Sequence, residues 1–165
     1  MINIYTGTPG SGKSLNVARF LILKAKMGKR IIANFPMRPT RKQLRKGRAP
    51  EYWNNEEITP DKLLDYACQY HKYGKEGQTI LVLDECQLLF NSRDFRDRNR
   101  PKWIEFFSHH RKFGFDVILV TQHDRLIDRQ VRSFIEYEIK HRKVNRFGVP
   151  GLILTILHIP MFVAV

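Results

Sequence analysis

The sequence predicts one α/β domain, a three-layer sandwich with a mostly parallel central sheet, and three observations carry that reading. Strand-like and helix-like stretches alternate along the chain. Thr79-Ile80-Leu81-Val82-Leu83 is a continuous apolar run of the kind covered on both faces. A glycine-rich loop, residues 7–12, joins the first strand-like stretch directly to a helical one. A length of 165 residues holds one such domain with a real core and is short for two, so residues 1–165 are read as a single unit.

Taken in order, Ile2 and Ile4 open a short strand. Ser14 to Met27 then reads as a helix bearing Leu15, Val17, Ala18, Phe20, Leu21, Ile22, Leu23 and Ala25. It is apolar on most faces and is expected to be sandwiched inside the fold. Gly28 ends it, and Arg30 to Ala33 resembles a second strand. Four prolines (Pro36, Pro39, Pro50, Pro60) then mark a long exposed excursion, with a helix expected at Asp61 to Tyr70. After the apolar strand, Pro101 opens a helix carrying Trp103, Ile104, Phe106 and Phe107, Gly114 closes it, and Asp116 to Val120 is the next buried strand. Phe134 to Lys143 alternates like a strand with one wet face. With a turn at Val149-Pro150-Gly151 and a strand from Leu152 to Ile159, it predicts a C-terminal β-hairpin extending the sheet.

Hydrophobic residues make up 42% and charged residues 27%, the balance of a soluble globular domain. Charge is the outlier: 29 Lys and Arg against 16 Asp and Glu give a net +13, which favours polyanionic partners or acidic lipid surfaces. Cys68 and Cys86 do not suggest a disulfide framework, and a reducing compartment fits. The chain holds no run of eighteen apolar residues, and its apolar end at Met161-Phe162-Val163-Ala164-Val165 suggests a fragment of something longer. The six histidines show no ligand spacing, so no metal beyond one accompanying a nucleotide is expected.

The loop is the most specific signal. Gly7-Thr8-Pro9-Gly10-Ser11-Gly12-Lys13-Ser14 satisfies the phosphate-loop pattern in full and sits between a strand and a helix, where its amides and the helix N-terminus can face phosphates. Lys13 is expected on the β- and γ-phosphates of ATP, Ser14 on Mg²⁺, and Leu15 supplies the next amide. Asp84 ends the apolar strand, placed to hold Mg²⁺ as a Walker-B carboxylate does, and Glu85 after it can polarise an attacking water. An acidic pair there also suits a plain helix start. Gln122 ends the next strand and can sense the γ-phosphate or orient the water. A small-molecule kinase and a non-hydrolysing nucleotide- or membrane-binding module are the alternatives to a hydrolase. Arg38, Arg41, Lys42, Arg45, Lys46 and Arg48, with Tyr52 and Trp53 close behind, suit contact with single-stranded DNA or with anionic lipid, or a solvated loop. Arg93, Arg96, Arg98, Arg100 and Lys102 form a second basic run, read as a subunit contact or a solvated loop.

Asp84-Glu85, then Arg111-Lys112-Phe113-Gly114 running into a strand that ends at Gln122, resembles the HerA/FtsK group of ATPases, within the ASCE/RecA-like P-loop class. With Ile127-Asp128-Arg129-Gln130-Val131-Arg132 and Glu136-Tyr137, the stretch is similar to the zonula occludens toxin (Zot) family of filamentous-phage assembly proteins. The resemblance runs from about Met1 to Tyr137 and is weaker through the basic excursion. It implies an ATPase at the cytoplasmic face of a bacterial inner membrane, attached through a segment not in this chain, that extrudes phage single-stranded DNA. It also implies a homo-oligomeric ring in which Arg111, with Arg129 as runner-up, reaches a neighbour's site in trans. In its bland reading Arg111 is a cation complementing a helix C-terminus.

Overall fold

The computed structural model describes residues 1–91, 99–143 and 162–164. Seven strands form one sheet: β1 (Ile2–Gly7), β2 (Arg30–Ala33), β3 (Glu51–Tyr52), β4 (Thr79–Leu83), β5 (Phe115–Val120), β6 (Tyr137–Lys143) and β7 (Phe162–Ala164). Their order is β3-β2-β4-β5-β1-β6-β7. Every neighbouring pair is parallel except β6 and β7, which are antiparallel. The expected α/β sandwich is therefore present. The strand carrying Gln122 at its end, β5, lies between the phosphate-loop strand β1 and the Asp84 strand β4.

Successive side chains of a strand point to opposite faces, and the two faces make two cores. Ile2, Ile4, Leu81, Leu83, Val117 and Leu119 pack against Leu63 and Tyr66 of helix α3 (Pro60–Tyr70) and Trp103, Phe106 and Phe107 of helix α4 (Arg100–His109). Tyr5, Ile31, Ile80, Val82, Ile118 and Val120 pack against Val17, Leu21 and Ala25 of helix α1 (Lys13–Lys26). All five residues of β4 are buried, as a continuous apolar run requires.

Three expectations are corrected and one is extended. Helix α1 is not sandwiched: it buries one face on the sheet, and Ile22 and Leu23 on the other remain 49% and 61% exposed. No layer of the described residues lies over that outer face, so composition alone overestimated its burial. The exposed basic excursion also holds two short elements that its sequence pattern did not predict. Thr40 caps helix α2 (Arg41–Arg45) with a reciprocal Thr40–Gln43 capping box, and β3 adds a parallel edge strand beside β2. Strand β6 begins at Tyr137, because residues 129–132 form helix α5 (Arg129–Arg132) and Phe134 sits in the turn after it. In the second basic run, Arg100 and Lys102 are tied within the chain, to Asp128 at 3.0 Å and Asp61 at 2.6 Å. Residues 93–98 of that run, and the expected turn and strand at 149–159, lie outside the described residues.

Candidate nucleotide-binding site

The phosphate loop leaves the carboxyl end of β1 and enters α1. Gly7 registers against His141 of β6, and a Cβ there would lie 2.4 Å from the His141 carbonyl, at a φ of +142°. Only glycine fits. At the other end of the loop Gly12 is left-handed and gives α1 no side-chain cap, and no acid occupies the first turn. The N-terminal amides are therefore free to face an anion. The Ser11 hydroxyl is buried without a partner, and Lys13 folds back to donate to the carbonyls of Gly7 and Thr8. A phosphate fits such a loop: it brings acceptor oxygens to uncapped amides, to an unpaired hydroxyl and to an ammonium that now donates to loop carbonyls. Thr8 is half-buried; Pro9, Gly10, Ser14 and Leu15 are exposed around the same opening.

Asp84 and Glu85 come to this loop from β4. Burial holds the Lys13 ammonium below the ordinary lysine value, and the charges of Asp84 and Glu85 oppose that shift, which puts both acids within electrostatic reach of the lysine. Glu85 is exposed and sits at φ 48°, the one left-handed non-glycine residue among the described residues; its N–H donates to Asp84 Oδ1 at 2.9 Å. A left-handed glutamate costs free energy. It starts no α-helix; a single 3₁₀ turn, Cys86–Leu88, follows.

A residue that sequence reading missed holds this corner. Asn34, just past β2, accepts from the Asp84 N–H at 2.7 Å and donates to the Asp84 carbonyl at 2.7 Å. Its amide thus carries the β2–β4 ladder one residue beyond the strands, and it also donates to Asn55 Oδ1 at 2.9 Å. Two further missed residues brace the loop from the other side. Asn16 Nδ2 lies 3.0 Å from His141 Nε2, and His141 stacks on Tyr5 with ring centroids 5.7 Å apart. Burial first, and then the Lys13 charge, hold the His141 imidazole below its ordinary pKa.

Gln122 follows β5, and its backbone carbonyl accepts from the Gly7 N–H at 3.1 Å, so it adjoins the loop. Its exposed side chain borders a cleft of about 490 Å³ that Thr8, Lys140 and His141 also line. The arginines are elsewhere. Arg111 lies at the amino end of the sheet, a strand length (roughly 17 Å) from the loop, and its guanidinium donates to Glu136 at 2.6 Å. Arg111 holds the Glu136 carboxyl below the usual range, with the Ile2 N–H adding to the effect. Arg129 is exposed in the first turn of α5, beside Asp128, which accepts from the Gln130 and Val131 N–H groups as the helix cap. Arg111 is thus not brought to this chain's own loop.

The six basic residues from Arg38 to Arg48 are all exposed, as is Tyr52. Trp53 is not available to a base: it is 8% exposed, donates through Nε1 to Glu51, and lies under Lys62 and edge-on to Tyr66.

The family described as "Zonular occludens toxin (Zot)" matches residues 1–160. The chain belongs to that family. Among curated proteins, the Gene 1 protein of Escherichia phage If1 is 30% identical over 154 residues, 90% of this Zot-family chain and 43% of the relative. The Gene 1 proteins of Enterobacteria phages fd and M13 are 37% identical over 79 residues, 47% of this chain and 23% of each relative. The chain thus spans less than half the length of these relatives. Among solved structures, the N-terminal domain of zonular occludens toxin from Neisseria meningitidis superposes with a TM-score of 0.60 at 17% identity, covering 99% of this chain and 92% of that one. The genome packaging NTPase from Sulfolobus turreted icosahedral virus 2, in complex with ATP-gammaS, superposes at 0.59 and 17% identity, covering 84% and 74%. These two likenesses establish the shared Zot and packaging-NTPase fold.

Proposed function

We propose that the chain is an ATP-hydrolysing motor domain that drives assembly and export of filamentous phage at the cytoplasmic face of the bacterial inner membrane. The convergence of the Lys13 loop with Asp84 and Glu85 carries the hydrolytic part of this reading. The loop amides, the α1 N-terminus and Lys13 bind the β- and γ-phosphates. Ser14 and Asp84 would hold Mg²⁺, which when bound neutralises charge on the β- and γ-oxygens. Glu85 takes a proton from the water that attacks the γ-phosphorus, the bond to the bridging oxygen breaks, and ADP and phosphate leave. Gln122, beside the loop, orients that water or senses the γ-phosphate. The exposure of Glu85 favours hydrolysis over transfer to a sheltered acceptor.

Arg111 stands too far from its own loop to act there, so its role is to complete a neighbour's site in a head-to-tail assembly, with Arg129 the second candidate. Similarity to the Gene 1 proteins of filamentous phages supports phage single-stranded DNA, or the complex that packages it, as cargo. The ATP-gammaS complex of the packaging NTPase supports ATP as the nucleotide.

The test is phosphate release from ATP with Mg²⁺. Lys13→Ala is expected to lose nucleotide binding and turnover together, whereas Arg111→Ala keeps binding and loses turnover. Mixing the two variants is expected to restore part of the activity. Full activity in Lys13→Ala would overturn the motor reading, and assembled mixtures with no recovery would overturn the role of Arg111.

A further inference from the structure

The charge of this chain is segregated. Residues 1–50 contain twelve Lys and Arg and no Asp or Glu, while the remaining residues carry seventeen basic against sixteen acidic side chains. Helix α1 and helix α2 both lie in the acid-free part, and they are fastened together. Thr40 Oγ1 donates to the Ala25 carbonyl at 3.2 Å, Gln43 Nε2 to Lys29 O at 3.1 Å, and Arg48 to Gly28 O at 3.3 Å. Large aliphatic side chains also stand in solvent on and beside these two helices. Ile22 and Leu23 on α1, Met27 at its C-cap, and Leu44 on α2 are all about half exposed or more. Arg19, Lys26, Arg41 and Lys46 are exposed among them.

We propose that this outer α1–α2 face rests on a bilayer bearing acidic headgroups. Aliphatic side chains flanked by long cationic ones match the headgroup–acyl boundary, where the apolar groups enter and the Lys and Arg stems reach back to phosphates. Nucleic acid would meet the cations but leave Ile22, Leu23, Met27 and Leu44 facing water, and the large exposed side chains of α1 and α2 include no aromatic on which a base could stack. A second copy of the same face would bring together two surfaces built from the acid-free segment, which like-charge repulsion opposes. The proposal is independent of nucleotide hydrolysis.

The experiment uses the 165-residue chain with vesicles of phosphatidylglycerol mixed with phosphatidylcholine, against phosphatidylcholine alone. Sedimentation with the acidic vesicles, weakened by salt, is expected, with little on the neutral ones. In Leu23→Trp, the emission of the new tryptophan is expected to shift to the blue on acidic vesicles. Ile22→Gln with Met27→Gln is expected to bind roughly tenfold more weakly at an unchanged melting temperature. Arg41→Glu with Arg45→Glu is expected to lose roughly fivefold or more per charge removed. Leu23→Trp emission that acidic vesicles leave unmoved overturns the proposal. So does a blue shift that appears without lipid and grows with protein concentration, which marks an interface between copies. Displacement of bound vesicles by a single-stranded oligonucleotide that itself shifts the emission assigns the face to nucleic acid instead.

Discussion

At the scale of single residues, Glu85 combines strain with chemistry. Its left-handed φ of 48° suits glycine better than glutamate, so the side chain at that position costs the fold something. Glu85→Gly is therefore expected to keep or raise stability, by up to about 1 kcal/mol, while hydrolysis is lost. Glu85→Gln should bind ATP as well as the parent and turn over roughly 10²-fold more slowly. Thermal melts and phosphate release on the same samples check both; a Glu85→Gly protein that melts several degrees lower would remove the strain argument. Asn34 carries a separate prediction. Asn34→Ala leaves the Asp84 N–H and carbonyl without their partner, and is expected to cost about 1–3 kcal/mol and to lower kcat with nucleotide affinity held. Equal losses in affinity and kcat would make Asn34 a general scaffold residue. The loop and the Asp84-Glu85 pair were legible because spacing and strand position mark them in one dimension. Asn34, Asn16 and His141 were not, because each acts through a strand or helix distant in sequence, and no local pattern reports which strands become neighbours.

At the scale of elements, the short helix α5 depends on one carboxylate. Asp128 is 4% exposed, caps α5 and pairs with Arg100 of α4; burial pushes its carboxyl up, but Arg100 and the Gln130 and Val131 amides outweigh that and hold it below the ordinary value. Asp128→Ala removes the cap and leaves Arg100 unpaired, for an expected loss of about 2–3 kcal/mol, measured by denaturant titration. A loss below about 0.5 kcal/mol would show that α5 is held by Val131 packing alone. The major helices were visible beforehand from Pro101, Gly28 and apolar spacing. Their burial was harder to read. A helix with Leu15, Ile22 and Leu23 on one side and Val17, Leu21 and Ala25 on the other has two apolar faces, and only the tertiary structure says which one the sheet takes. Thr40 and Gln43 carried a legible capping signal inside the basic excursion, which the density of prolines and charges around it masked.

For the molecule as a whole, three histidines set a pH limit. Burial, the largest cause in each case, holds His71, His110 and His141 below the ordinary value of 6.5. The neutral imidazoles are the folded forms, so the stability they confer is complete above about pH 6.5 and is lost as pH falls through the lowered values. Melting temperature is expected to drop as pH falls from about 6.5 to 5, ahead of the carboxylates Asp128 and Glu136, which are themselves held low. A melting temperature constant across that interval would show the imidazoles to be solvated. The sheet itself acts as a ruler. Strand β1 keeps the phosphate loop at one end and Arg111 at the other, a separation that no rotamer of Arg111 spans. If that arginine serves the reaction, an isolated chain cannot complete the chemistry alone, so turnover per chain must rise with concentration and dilution must act as an off-switch.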